Sequence, residues 1–371
     1  MHKYPDNCIR KVRFFQKIAK NIPGNPDNGI DDLLLYVIMD MEWIFLCVFR
    51  VTSKLPAYKI ELSTLAKDQD FDAYVRRSLT VIRSNTVIEG LTHYIEEGAI
   101  GVPHYGFLIF EDCANITVKD TNITARADGS GKYVSNYEMN LTRVANGTFI
   151  NLIQMNDFNE YSTMGSNYCK NLVFDGCRLN RIDAHASVTN LTVRNCEVGF
   201  SRINVGGFGT LLVENTTSHG NHFITFRGDY GGSWDGDVII RNCTWIPEET
   251  TEPLEIMDGS NPETWDFGYE CYFTRTLTID GLHIHNSEEN PTVYVFTNPA
   301  PYYNDKITYR VYKHSIKYPY IMPGKVEVSG VTYEYTAADG TEQLAISPNM
   351  YIFEIGKTEF YIDGVQQKLN N

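Results

Sequence analysis

The feature that most constrains this chain is a short motif that returns along it about every 20 residues where it is tightest, the spacing of a solenoid repeat. Its clearest copies are Leu172-Val173-Phe174-Asp175-Gly176-Cys177, Leu191-Thr192-Val193-Arg194-Asn195-Cys196, Leu211-Leu212-Val213-Glu214-Asn215-Thr216 and Val238-Ile239-Ile240-Arg241-Asn242-Cys243. Weaker copies span Ile116 to Thr121, Leu277 to Leu282 and Val326 to Val331, and partial ones end at Leu91 and Leu152. The Asn, Gly or Asp of the motif falls at positions 90, 120, 151, 176, 195, 215, 242, 281 and 330. Alternating apolar residues before it read as a strand, and Asn and Gly tolerate the left-handed backbone that a tight corner requires. No stretch between these strands has the length and helical period of a βαβ crossover, which disfavours a doubly wound sheet or a (β/α) barrel.

Stacked turns place equivalent positions about 4.8 Å apart in columns of like residues. Cys177, Cys196 and Cys243, with Thr216 between, then form one interior column. The eight cysteines include no CxxC pair, and no His or carboxylate joins this column, so they read as small buried hydrophobes rather than a zinc or redox site. Asn-X-Ser/Thr triplets beginning at Asn115, Asn122, Asn140, Asn146, Asn190, Asn215 and Asn242 fall mostly in strands or corners and read as part of the repeat. The expected class is all-β: a parallel solenoid over 81–345, an N-terminal cap and lead-in over 1–80, and C-terminal strands or cap over 346–371. The end segments would cover strand edges that a solenoid otherwise exposes.

The net charge of −14, with no Lys/Arg-rich tract, disfavours sequence-independent nucleic-acid binding. Leu33 to Val51 is apolar, but Asp40 and Glu42 in its middle are costly in a bilayer, so a buried capping helix is expected there and no membrane partner. Met1 to Arg13 lacks the pattern of a secretory leader, and the expectation is a soluble, cytoplasmic chain.

The turns from about residue 84 to 333 resemble the right-handed parallel β-helix proteins of the pectate-lyase-like superfamily. That superfamily includes polysaccharide lyases, polygalacturonase-type hydrolases and phage tailspikes. The stretches Ser166 to Leu172, Arg181 to His185 and Arg227 to Trp234 are similar to an uncharacterised bacterial group within it. The resemblance implies a single-stranded right-handed β-helix with a lateral groove for a carbohydrate polymer. It implies no particular reaction, because the polygalacturonase pattern of Asn-Thr-Asp, paired Asp, Gly-His-Gly and Arg-Ile-Lys is absent.

Counting six residues past the Cys/Thr position of three successive turns gives Asp183, Arg202 and His222, which should stack in one column. The period of two then adds Arg181, His185, Phe200 and Asn204 to the same outer face, with Ile182, Ala184, Ile203, Val205 and Phe223 pointing inward. The Gly-rich loop Gly228 to Gly236, with Arg227 before it, would bring Asp229, Tyr230, Trp234 and Asp235 over this face. An aromatic ring beside hydrogen-bonding groups suits a sugar.

Three functions fit these residues, and the sequence favours the first, hydrolysis, over elimination and over binding alone. Glycoside hydrolysis would use Asp183 with Asp229 or Asp235, with His222 near them and Arg181, Asn204, Arg227, Tyr230 and Trp234 holding the polysaccharide. An Asp183 one rung from Arg202 would be ionised, hence a base, nucleophile or cation ligand rather than an acid. Elimination from a uronate would use Arg202 to neutralise the carboxylate and His185 or Tyr230 to remove the neighbouring proton. A tailspike-like or adhesin-like protein would only bind sugar at the same face. No cofactor is expected, with Ca²⁺ as the alternative. Many lyases of this architecture hold Ca²⁺ with clustered acids, but no such cluster falls in register, and Asp157 and Glu160 lie in an irregular turn. His283 and His285 alternate as a metal pair would, yet no third ligand follows at useful spacing, so they read as an exposed strand edge. His93, His104 and the aromatic insertion Asn298 to Pro323, with Tyr302, Tyr303 and Tyr309, are read as flanking features. Oligomeric state does not follow from the sequence.

Overall fold

The computed structural model describes residues 58–61, 79–92, 108–123, 137–155, 157–158, 163–200, 202–227, 233–248, 254–258, 271–296, 320–321, 323–345 and 358–368. Among them there is no helix, and 23 strands join one sheet. The pairing is parallel apart from a closing hairpin between Glu359–Ile362 and Val365–Gln367. A separate parallel pair joins Cys271–Tyr272 to Tyr320–Ile321.

Pairing skips one strand along the chain. Thr86–Glu89 pairs backward with Tyr58–Glu61 and forward with Ala114–Ile123, whereas Leu108–Glu111, between them in sequence, pairs with Leu79–Val81 and Met139–Thr142. Parallel neighbours need a connection that returns the chain to its starting end; here that return is made by a strand of the other series, not by a helix. The long strands Ile182–Arg194 and Ile203–Glu214 run through both series, and their mutual register breaks between Ala184 and Val188, where one series gives way to the other. The pairing reaches back to Tyr58–Glu61, inside the segment expected to be a cap. Residues 346–357 of the expected C-terminal strands or cap and the apolar stretch Leu33 to Val51 lie outside the described residues. No helix among the described residues is long and apolar enough to cross a membrane.

The alternating burial of these strands builds the core. Ile88, Val118, Phe149, Phe174, Val193, Val213, Ile240, Ile279 and Val328 are consecutive partners in register, all of them buried. Each such side chain contributes about 1.5–3 kcal/mol by leaving water, and the Phe149 and Phe174 rings stack with centroids 4.8 Å apart. Cys177, Cys196, Thr216 and Cys243 form the anticipated column, with the Cys177 amide donating to Cys196 Sγ at 3.4 Å and the Cys196 amide to Thr216 Oγ1 at 3.3 Å.

The corners carry a second kind of column. All nine motif positions from Gly90 to Gly330 have positive φ, between 47° at Asn215 and 83° at Gly281. A separate asparagine ladder lies five residues ahead of the motif positions: Asn115 donates to Asn85 at 2.9 Å, Asn146 to Asn115 at 3.0 Å, Asn171 to Asn146 at 2.8 Å and Asn190 to Asn171 at 2.9 Å. These residues are also left-handed, with φ of 55° to 60°. Asparagine suits the position twice over, because it adopts this backbone and its amide both donates and accepts along the stack.

Candidate functional site

The strand pairing sets a different register at the expected site from that obtained by counting. Asp183 lies beside Gly165 on one side and Asn204 on the other, followed by Thr225 and Asp258, with Asn140 before Gly165. Arg202 and His222 are therefore not in the Asp183 column, which corrects the sequence-based alignment. From the Cys/Thr column the chain takes six residues to Asp183, eight to Asn204 and nine to Thr225. Residues added between the Cys/Thr column and the paired strands leave those strands in phase, so a fixed count drifts by the length of each insertion. Between Cys196 and Asn204, Arg202 has φ of 71°. Gly220 lies against it, and a Cβ there would stand 2.3 Å from Arg202 Cγ, so glycine makes room for that side chain.

Asp183 is the centre of the arrangement. It points away from buried Ile182 and Ala184 yet has no exposed surface of its own. Its Oδ2 accepts from Tyr137 Oη at 2.5 Å and from Arg227 Nη1 at 2.8 Å, and Arg181 Nη2 lies 2.6 Å away. Its Oδ1 is buried without a hydrogen-bond partner among the described residues. Tyr137 reaches in because the adjacent column position is Gly165, where a Cβ would come 2.5 Å from the ring. Burial first, and then the Asp183 charge, push the Tyr137 phenol well above its usual range, so it stays protonated and works as a donor. The Arg181 guanidinium stands over the same ring at 5.7 Å. The Ser166 hydroxyl donates to the Asp183 carbonyl at 3.1 Å.

A second group adjoins it. Arg202 Nη1 donates to Thr225 Oγ1 at 3.1 Å and lies 3.8 Å from Asp258 Oδ2, while His222 Nε2 is 3.5 Å from the same carboxylate oxygen. Burial lowers the Arg202 pKa, opposed by Asp258 and reinforced by Arg181. Arg202 keeps 29% of its side chain exposed, so it can meet a ligand. His185 sits at the irregularity between Ala184 and Ala186, half-buried, with its ring 6.2 Å from that of Tyr137.

Other expected residues go elsewhere. Trp234 is wholly buried in the core with its indole N–H on the Gly209 carbonyl at 2.8 Å, so its expected role as a sugar platform is corrected to a packing role. Asp235 pairs with Arg275 and lies in register with exposed Phe208 rather than with Asp183. Phe200 faces His219, 6.1 Å between rings, not the Arg202 group. Asp229 and Tyr230 lie outside the described residues, as do His93, His104, Glu160 and the tyrosines of the aromatic insertion. Counting missed Tyr137 and Asp258. Tyr137 precedes the strand Met139–Thr142, whose repeat copy is too degenerate to recognise, and Asp258 falls well beyond a six-residue count from Cys243.

No family model matches the chain. It is similar to a capsule KL64-specific depolymerase of Klebsiella phage P510, at 28% identity over 190 residues, covering 40% of this chain. The chain spans only 18% of that relative's length.

Proposed function

We propose that the chain is a right-handed parallel β-helix of the pectate-lyase-like kind, and that it cleaves an acidic polysaccharide by β-elimination at the face bearing Arg181, His185, Arg202, His222 and Arg227. Support for a polysaccharide comes from the partial likeness to the capsule depolymerase. The choice of reaction rests on the state of Asp183. A nucleophile or base must reach the sugar, and this carboxylate is wholly buried and held by Tyr137, Arg181 and Arg227. Asp258, the other carboxylate in its column, is three strands away, about 14 Å at the usual strand spacing, beyond the separation of either glycosidase pair. Asp235 is engaged by Arg275. His185 and Arg202, by contrast, keep exposed surface.

In the proposed step the substrate's carboxylate sits against Arg202, which stabilises the charge that develops as the adjacent C5 proton leaves. His185 takes that proton, the electron pair forms the C4–C5 double bond, and the C4–O bond breaks with the leaving oxygen taking a proton from water. Asp183 and Tyr137 are positioning residues that fix Arg181 and Arg227, while Thr225 and Asp258 hold Arg202. The test is incubation of the purified chain with uronate-containing and neutral capsular glycans, following both unsaturated-uronate absorbance and reducing ends. A rise in both, abolished in His185→Ala with glycan binding retained, supports elimination. Reducing ends without the absorbance would transfer the chain to hydrolysis, with Asp229 as the partner to examine. Binding without cleavage of any glycan would make it a tailspike-like binding module.

A further inference from the structure

On a different strand series from the Asp183 column, the chain brings together two imidazoles and a carboxylate that the proposed function does not use. His283 and His285 alternate with Ile284, whose side chain is fully buried, so both rings stand on the outer face of the strand Thr274–Ile284 and the residue that follows it. The missing third ligand comes from the next turn. Ile284 pairs with Tyr333, and the Glu334 amide donates to the Ile284 carbonyl at 2.9 Å, which sets Glu334 beside the two histidines. Glu334 Oε2 is 3.5 Å from His283 Nε2 and 3.8 Å from His285 Nδ1, and one ligand atom from each of the three lies within 4.8 Å of the others.

We propose that His283, His285 and Glu334 form a binding site for a transition-metal dication of the zinc class. The spacing fits: ligand atoms about 2.0–2.1 Å from a tetrahedral zinc are separated by about 3.4 Å. The donor set fits as well, since two imidazole nitrogens and one carboxylate oxygen suit zinc, cobalt or nickel and not the all-oxygen shells of calcium or magnesium. His283 is also oriented from behind. Its Nδ1 is 2.9 Å from Thr332 Oγ1, the residue opposite it in the neighbouring strand, which leaves Nε2 to face Glu334. An outer-sphere partner on the second ring nitrogen is the usual companion of a ligating histidine. The rings lie edge to face with centroids 4.8 Å apart and are more than a third exposed, so an ion can enter from solvent and at least one coordination position stays open to water or to another molecule's donor.

The experiment is titration of the metal-stripped full chain with zinc by calorimetry, alongside visible absorption of the cobalt-loaded chain. Expected are one zinc bound at this site and the intense cobalt bands of low coordination number. Both should be lost in His283→Ala and Glu334→Gln, with an unchanged circular dichroism spectrum confirming that these exposed substitutions leave the fold intact. Thr332→Val, which keeps all three ligands, should weaken zinc by about 10–100-fold. Absence of zinc binding in the native chain, or equal binding after His283→Ala and Glu334→Gln, would overturn the site.

Discussion

Substituting Asp183→Ala should destabilise the protein by about 3–5 kcal/mol, the cost of removing one partner from a buried ionic group. The estimate follows from what the carboxylate holds. It has no exposed surface, and Arg181 and Arg227 keep only 21% and 16% of their side chains exposed. Water can therefore replace the lost contacts only in part, and each charge-assisted hydrogen bond of this kind contributes about 1.5–3 kcal/mol. Tyr137 loses its acceptor as well. The assay is urea unfolding followed by circular dichroism, compared with Asp183→Asn, which retains an acceptor and should lose less. The decisive variant is the triple substitution Asp183→Leu, Arg181→Met and Arg227→Met. If the penalty is the stranding of buried cations, replacing the whole group with apolar side chains recovers most of the stability. A loss below about 1 kcal/mol in Asp183→Ala, the scale of a surface ion pair, would refute the reasoning. So would a triple variant no more stable than Asp183→Ala.

Gly165→Ala puts a Cβ 2.5 Å from the Tyr137 ring and should cost about 1–3 kcal/mol by overpacking; polysaccharide cleavage should fall with it as Tyr137 leaves Asp183, whereas unchanged cleavage would remove Tyr137 from the positioning set. In the asparagine ladder, Asn171→Ala loses bonds to both neighbours and must hold φ of 55°, so it should be less stable than Asn171→Gly by about 1 kcal/mol, measured by denaturant midpoint. Burial pushes the thiols of Cys113, Cys169 and Cys243 from 9.0 up to about 11. Between those values the unfolded chain has released protons that the folded chain still holds, so stability should fall as pH rises from about 9 toward 11. Peptide mapping after alkylation of the native chain at pH 8 should find these three cysteines unmodified.

The parts of this protein legible in its sequence are those set by local chemistry. A strand shows itself because every second residue must leave water, and a left-handed corner because only a few residue types occupy it at low cost. That is why all nine motif positions, from Gly90 to Gly330, prove left-handed, and why Cys177, Cys196, Thr216 and Cys243 align. Both signals are written within a few residues of the position they describe.

The candidate sites depend instead on which residues become neighbours across turns, and that is set by pairing in space. Connections of unequal length absorb extra residues without disturbing the ladder, so Asp183 meets Asn204 and Thr225 instead of Arg202 and His222. Tyr137 comes to Asp183 from 46 residues away, through the notch left by Gly165. Glu334 joins His283 and His285 from the following turn, after an insertion that no repeat count spans. Trp234 looked like a surface ring because its loop is glycine-rich, yet its large apolar area drives it into the core once its indole N–H finds the Gly209 carbonyl. The backbone's preferences are local and leave a local trace; the meetings of charged groups are settled by hydrogen-bonded register over tens of residues, for which one chain carries no local mark.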